Sequence, residues 1–344
     1  MERNTTGTFI ISLDFELFWG VHDVYTREQY EKNVRGAHDV VLSLLDMFSD
    51  YGIHATWAIV GMIYFENLEE LKYAIPQQKP TYNNEKFSSY HYMDRNPITE
   101  KDRELFFAPY LIERISSTPN QEIATHTFSH YYCLEEGQKL EQFAADLYMA
   151  NHTTSLQTGR QNNSIVFPRN QVNEKYLREC KRQGLRSYRG NEESWVYRLQ
   201  STERKRYVKR ALRLLDRYLN IFGHQAFDLP THASKDLPLN IPSSRYLARC
   251  SERLKWLEGL RLKRILSDMT YAAQHGKVYH LWWHPHDFGK NITGNLAFLK
   301  TILEHFLFLQ KTYGFRSRNM DEIALEIIDE KEEKHDYQME EIVL

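Results

Sequence analysis

Cysteine is scarce: the 344-residue chain has three, Cys133, Cys180 and Cys250, far apart and odd in number. No C-x-x-C spacing occurs, which argues against a disulfide framework and against a thiolate zinc site. Free thiols suit a reducing compartment, so a cytoplasmic location is expected. An excess of charge of either sign is also missing. The formal net charge is −2, which gives no electrostatic reason to expect nucleic acid as a partner. Long hydrophobic runs are absent, and no stretch approaches the ~18 apolar residues of a membrane span. The opening segment, MERNTTGTFIISLDFELFW, has a short apolar run broken by Asp14 and Glu16. It lacks the longer apolar core and small-residue cleavage site of a signal peptide. No internal repeat or low-complexity tract is visible. What the chain does have is 42% hydrophobic residues, enough for a sizeable core, and 13% aromatics.

Strand-like and helix-like segments alternate. TFIISLD (8–14), IHATWAIVG (53–61), QEIAT (121–125), SIVFP (164–168), LRSYRG (185–190) and KVYHLWWH (277–284) read as strands. GAHDVVLSLLDMFSDYG (36–52), PYLIERISST (109–118), NEKYLRECKRQG (173–184), the stretch 295–314 and NMDEIALEII (319–328) read as helices. The last opens with Asn319 and has Glu322 three residues on, the pattern of a capping box. Such alternation predicts an α/β fold with a parallel sheet. One domain is expected over residues 1–328, interrupted near 76–108 and 191–250 and followed by an acidic tail, 329–344. The first interruption is polar and Tyr-rich, and a loop of that length is usually functional or disordered. The second holds a basic amphipathic stretch, 203–219. Such a stretch packs on its own domain or meets a membrane surface.

The polar residues that resist a structural explanation sit just after predicted strands. Asp14 and Glu16 end the first, His126 and His130 follow EIAT, Arg169 and Asn170 follow IVFP, and His284, His286 and Asp287 follow YHLWW. In barrels of parallel strands, these ends share one face and build active sites there. Two carboxylates at i and i+2 in apolar surroundings need a cation nearby. Two histidines and one carboxylate form a ligand set for a catalytic zinc with an open position. The same set also describes a non-haem iron oxygenase, although those enzymes usually sit on double-sheet β folds. His284, directly after its strand, is the better candidate for a general acid, with His286 and Asp287 to orient it.

The ordered motifs SLDFE, HTFSH, FPRNQ, YRGNEESW and LWWHPH resemble those of the polysaccharide deacetylase family, with the NodB homology fold of carbohydrate esterase family 4. The combination resembles the branch found in bacterial O-antigen and surface-polysaccharide gene clusters. Two departures are visible: Phe15 separates Asp14 from Glu16 where the family has adjacent aspartates, and Arg169 follows Pro168 instead of preceding it. The resemblance implies a distorted (β/α)7 barrel and a divalent metal, commonly zinc, held by Glu16, His126 and His130. It further implies Asp14 as general base, His284 as general acid and Arg169 as the residue orienting the base. Trp195, Arg189, Asn170, His286 and Trp19 are expected to contact substrate. Of Trp282 and Trp283, at least one is expected in the core. The expected reaction is removal of an N-acetyl group from a nucleotide-linked or lipid-linked amino sugar. Two rivals are a C–N hydrolase acting on a cyclic amide or ureide and a non-catalytic carbohydrate-binding relative; the latter would be expected to lack Asp14 or His284.

Overall fold

The computed structural model describes residues 6–192, 212, 215–229, 234–251 and 253–328. Trp195, most of the basic stretch 203–219 and the acidic tail lie outside them. The central strand, β1 (Thr8–Phe15), is buried along its whole length, as expected for a parallel strand covered on both faces. It lies between β2 (Ala55–Ile59) and β8 (Val278–Trp283), both parallel to it. Beyond β2 follow β3 (Gln121–Thr125), β4 (Ser164–Ile165), β5 (Ser187–Gly190) and β6 (Leu239–Pro242), each parallel to its neighbour. On the other side β8 pairs with β7 (Arg245–Tyr246). A short β9 (Arg316–Ser317) runs beside the start of β1.

The sheet curls onto itself. β6 and β7 are consecutive pieces of one segment, 239–246, and they pair with opposite edges of the sheet. Ser243 N donates to the Gly190 carbonyl at 2.9 Å, and Ser244 N donates to the His280 carbonyl at 2.8 Å. With that segment counted once, and β9 apart, the strands form a distorted seven-staved barrel.

The expected elements appear with small shifts. The helix after β1 runs over Arg27–Asp50, beginning earlier than expected, and buries Val34, Val40, Val41, Leu44 and Phe48 against the sheet. Helix Ile292–Tyr313 buries Leu299, Ile302, Leu303, Phe306 and Leu309 and stops at Gly314, whose φ of 72° suits a residue without Cβ. Length and composition would let this helix cross a membrane, but here that face packs on the barrel. The capping box at 319–322 is present: Asn319 Oδ1 accepts from Glu322 N at 3.0 Å, and Glu322 Oε2 accepts from Asn319 N at 2.9 Å.

The two interruptions differ from expectation. Residues 76–108 contain helices Ser89–Arg95 and Arg103–Phe106, and their Tyr90, Leu105 and Phe106 enter the core. The second stretch supplies the closing segment 239–246. Its centre, NIPSSRY, has too few apolar residues to register as a strand.

Candidate active site and metal centre

Asp14 is the penultimate residue of β1 and Glu16 follows the strand directly. Alternation along the strand aims Ser12 and Asp14 to the same side, and both are buried. Burial alone would push the Asp14 carboxyl up, but Arg189 holds it below the usual carboxylate value. The clamp is bidentate: Arg189 Nη1 donates to Oδ1 and Nη2 to Oδ2, each at 2.7 Å. Arg189 comes from β5 and is 1% exposed. It also donates to Ser12 Oγ and to Asn170 Oδ1, both at 3.0 Å, and lies 4.1 Å over the Trp282 ring. The chain of donors continues inward. His280 Nδ1 lies 3.0 Å from the Pro242 carbonyl, which can only accept, so His280 Nε2 accepts from Ser12 Oγ at 2.8 Å.

The HTFSH turn follows β3 with unusual backbone. Thr127 has φ 65° and His130 φ 58°, both in the left-handed region. Residues held there concentrate at functional sites when surrounding contacts enforce the conformation. Asp146, on helix Leu140–Thr158, supplies those contacts. It accepts from Phe128 N at 2.7 Å, from Ser129 N at 3.2 Å and from the Ser129 hydroxyl. Burial raises the Asp146 carboxyl to about 6, against these hydrogen bonds.

The turn brings His126 and His130 to Glu16. Their Nε2 atoms stand 3.3 and 3.0 Å from Glu16 Oε2. His126 Nδ1 donates to the Val166 carbonyl at 2.8 Å, so the neutral imidazole carries its lone pair on Nε2. That atom is buried without a hydrogen-bond partner and faces a carboxylate oxygen, acceptor against acceptor. A cation between them resolves the conflict. The three side chains can hold a metal ion, and two imidazoles plus one carboxylate suit a divalent ion such as zinc.

His284 completes the opposite side. Its Nδ1 donates to Asp287 Oδ2 at 2.9 Å, and Nε2 stands 3.7 Å from both Asp14 Oδ2 and Glu16 Oε1. Burial would lower its pKa, but Glu16, Asp287 and Asp14 outweigh burial and raise it to about 10. Asp287 also accepts from the Tyr246 hydroxyl at 2.6 Å. Despite burial its carboxyl falls to about 2, because His284 and Tyr246 stabilise the anion. A cavity of about 320 Å³ opens over Asp14, Glu16, His126, His130 and His284, with Asn170, Trp282 and His286 in its wall.

Several expected roles change. Arg169 makes no hydrogen bond to Asp14; it pairs with Asp23 and lies 4.4 Å over the Tyr132 ring. Arg169 still borders the cavity, but it is Arg189 that orients Asp14. Arg189 is therefore spent on the carboxylate and is not exposed to substrate. Trp19 is fully buried, with its Nε1 donating to the Phe106 carbonyl at 2.8 Å, so it is core. Trp283 is core as well, whereas Trp282 lines the cavity. Asn170 and His286 stand in the cavity wall. Trp195 lies outside the described residues.

Residues 35–188 match the family model for polysaccharide deacetylase. No curated protein matches the sequence. A Mycobacterium smegmatis structure described as a polysaccharide deacetylase shares the fold at 12% identity and TM-score 0.59, covering 96% of this chain and 93% of that one. A Pseudomonas aeruginosa PAO1 structure with the same description has 11% identity and TM-score 0.50, covering 92% and 89%. The PuuE allantoinase structure has 12% identity and TM-score 0.52, covering 94% and 91%.

Proposed function

We propose, from the likeness of residues 35–188 to the polysaccharide deacetylase family model, that the chain is a metal-dependent hydrolase. In this reading it removes the N-acetyl group of an amino sugar used in bacterial surface-polysaccharide (O-antigen) assembly. The substrate is a nucleotide-linked or lipid-linked sugar handled in the cytoplasm. One observation carries the reading: the His126 Nε2 lone pair faces Glu16 with no donor between them, beside an arginine-clamped carboxylate and a protonated imidazole.

Glu16, His126 and His130 would hold the metal, which when bound polarises an amide carbonyl and lowers the pKa of water. Asp14 keeps its negative charge because Arg189 compensates it, and its remaining lone pairs accept the proton of the attacking water. Arg189 and Ser12 fix the plane of that carboxylate. His284 holds a proton at Nε2, and Asp287 with Tyr246 keeps the ring aimed at the cavity. That proton goes to the departing amine, a poor leaving group unless protonated. Asn170 and Trp282 shape the wall against which the sugar rests.

Metal content per chain tests the reading, with wild type beside the double variant His126→Ala/His130→Ala. About one zinc-like ion in wild type, lost in the double variant, supports it. A chain that neither retains metal nor binds added zinc, cobalt or nickel would end it. A panel of N-acetyl sugars against cyclic amides then separates sugar deacetylation from ring opening.

A further inference from the structure

Helix Lys255–Gln274 begins after β7, so its first turns stand at the same end of the barrel as the site. β7 reaches that site directly, through the Tyr246 hydroxyl on Asp287. The inner side of the helix is committed to the fold: Arg261, Arg264, Ile265 and Met269 are buried. Its outer side is not. Trp256 is 76% exposed and Leu260 44% exposed. They are one turn apart and share a face. Between them Gly259 adds no side chain and has open space around it. An indole is a large apolar body with one polar N–H, and such rings collect at membrane–water boundaries.

Cations frame this apolar pair. Arg249, Arg253, Lys255 and Lys263 are all exposed. Among the described residues the acid of this stretch is Glu258, and it is already engaged by Arg261 at 2.7 Å and by Ser251 N at 3.1 Å. The neighbouring stretch 215–221 is tied to the helix by Arg264, whose Nη2 stands 3.6 Å from Asp216 Oδ1 and donates to the Gly223 carbonyl at 2.6 Å. It exposes Leu215, Leu219 and Ile221 by 50%, 53% and 46%. Apolar side chains ringed by cations match an anionic lipid surface. A second copy of this face would oppose like charges, which disfavours self-association through it.

We propose that this face docks the protein on an anionic bilayer, with Trp256 and Leu260 entering the headgroup boundary and the four cations meeting the lipid headgroups. The mouth of the site then lies near the membrane. Docking goes beyond the deacetylase reading; only its consequence, a lipid-linked substrate, rests on that reading.

Vesicle sedimentation of the full chain tests it, using phosphatidylcholine with and without phosphatidylglycerol. Wild type should bind the anionic vesicles, release them at high salt, and show quenching of tryptophan fluorescence by brominated lipid. Trp256→Ser/Leu260→Ser should abolish the quenching. Lys255→Gln/Lys263→Gln should weaken partitioning roughly 30-fold, about fivefold for each cation. Unchanged melting of both variants by circular dichroism shows that the fold is kept. Wild type that ignores anionic vesicles, variants that bind as wild type does, or equal binding to pure phosphatidylcholine would each overturn the proposal. Binding to soluble polyglutamate as strong as to anionic vesicles, without quenching, would assign the face to an acidic protein and overturn it too. Loss of vesicle binding with metal retained sinks docking alone; absence of metal with vesicle binding intact sinks the hydrolase alone.

Discussion

Arg189→Met removes the partner of a buried carboxylate and leaves Asp14 without its clamp. Asp14 and Arg189 are 3% and 1% exposed, and two hydrogen bonds of 2.7 Å join them. Truncating one member of a buried pair costs about 3–5 kcal/mol, because the survivor keeps its desolvation penalty. Here His284 Nε2 remains 3.7 Å from Asp14, a second cation that softens the loss, so the lower end, about 3 kcal/mol, is expected. At roughly 2 °C per kcal/mol for a large domain, the melting temperature falls by about 6 °C. The double variant Asp14→Asn/Arg189→Met removes the stranded charge. It should be more stable than the sum of the two single changes by about 2 kcal/mol, a coupling typical of residues in one network. Urea unfolding of all four proteins in chelator keeps metal binding out of the comparison. Additivity within about 0.5 kcal/mol would refute the pairing. Arg169→Met is the control for coupling: its partner is Asp23, so it should show no coupling to Asp14.

Further tests use other buried carboxylates. Burial raises Glu122 to about 7 despite hydrogen bonds that favour its anion. A carboxyl with a raised folded pKa contributes stability below its unfolded value, and that contribution is lost as pH rises through the folded one. Stability should therefore fall by roughly 3 kcal/mol between about pH 4.5 and 7 from this residue. Glu122→Gln should flatten that slope in pH-dependent urea melts; an unchanged slope would locate the titration elsewhere. Asp146→Asn keeps the shape of the side chain but weakens its hold on Phe128 N and Ser129 N. Metal affinity should fall about 10–100-fold, as for other supports of ligating residues, with the far-ultraviolet spectrum unchanged; an unaltered affinity by competition titration would clear Asp146 of a positioning role.

Much of the architecture is legible because its strands are short apolar runs between strong breakers. QEIAT appears as β3 without adjustment, and the long helices Arg27–Asp50, Leu140–Thr158, Lys255–Gln274 and Ile292–Tyr313 stop at or one residue short of Gly52, Gly159, Gly276 and Gly314, which take left-handed backbone. The closing strand is illegible because 239–246 divides its pairing between two partners and carries serines at the crossing. The candidate site is legible where chemistry sits at strand ends: Asp14, Glu16, His126, His130 and His284 converge in the cavity. Its supports are harder to read. Asp146 stands on the buried face of its helix among Phe143, Leu147 and Ala150, a carboxylate at an apolar position that does signal a partner. The exchange between Arg169 and Arg189 has no such mark. Arg169 sits in the turn after β4 and Arg189 lies within β5, and it is Arg189 whose guanidinium reaches Asp14 on β1. Tyr246 lies in a two-residue strand whose register no local pattern announces.

Glu16 meets two pairs of histidines, one on each oxygen. Oε2 faces His126 and His130, and Oε1 stands 3.7 Å from His284 Nε2 and 3.8 Å from His286 Nε2. His284, His286 and Asp287 also lie close enough together to hold an ion, but the two sets are not equivalent. His126 spends its proton on a carbonyl and offers a bare nitrogen. His284 spends one proton on Asp287 and keeps the other, with its pKa raised to about 10, and a protonated imidazole cannot ligate. Its neighbour His286, stacked at 4.9 Å, has its pKa lowered by burial and by the His284 charge, so the pair carries one positive charge between them. One side of Glu16 thus needs a cation from outside while the other has its own. Amide hydrolysis asks for that separation: a carbonyl-polarising charge on one side of the scissile bond and a proton donor on the other. Asp287→Asn distinguishes the sides. It removes the anion that holds the His284 proton, so turnover should fall while metal stoichiometry stays as in wild type. Loss of the metal in that variant would place the ion on the His284 side and reverse the assignment.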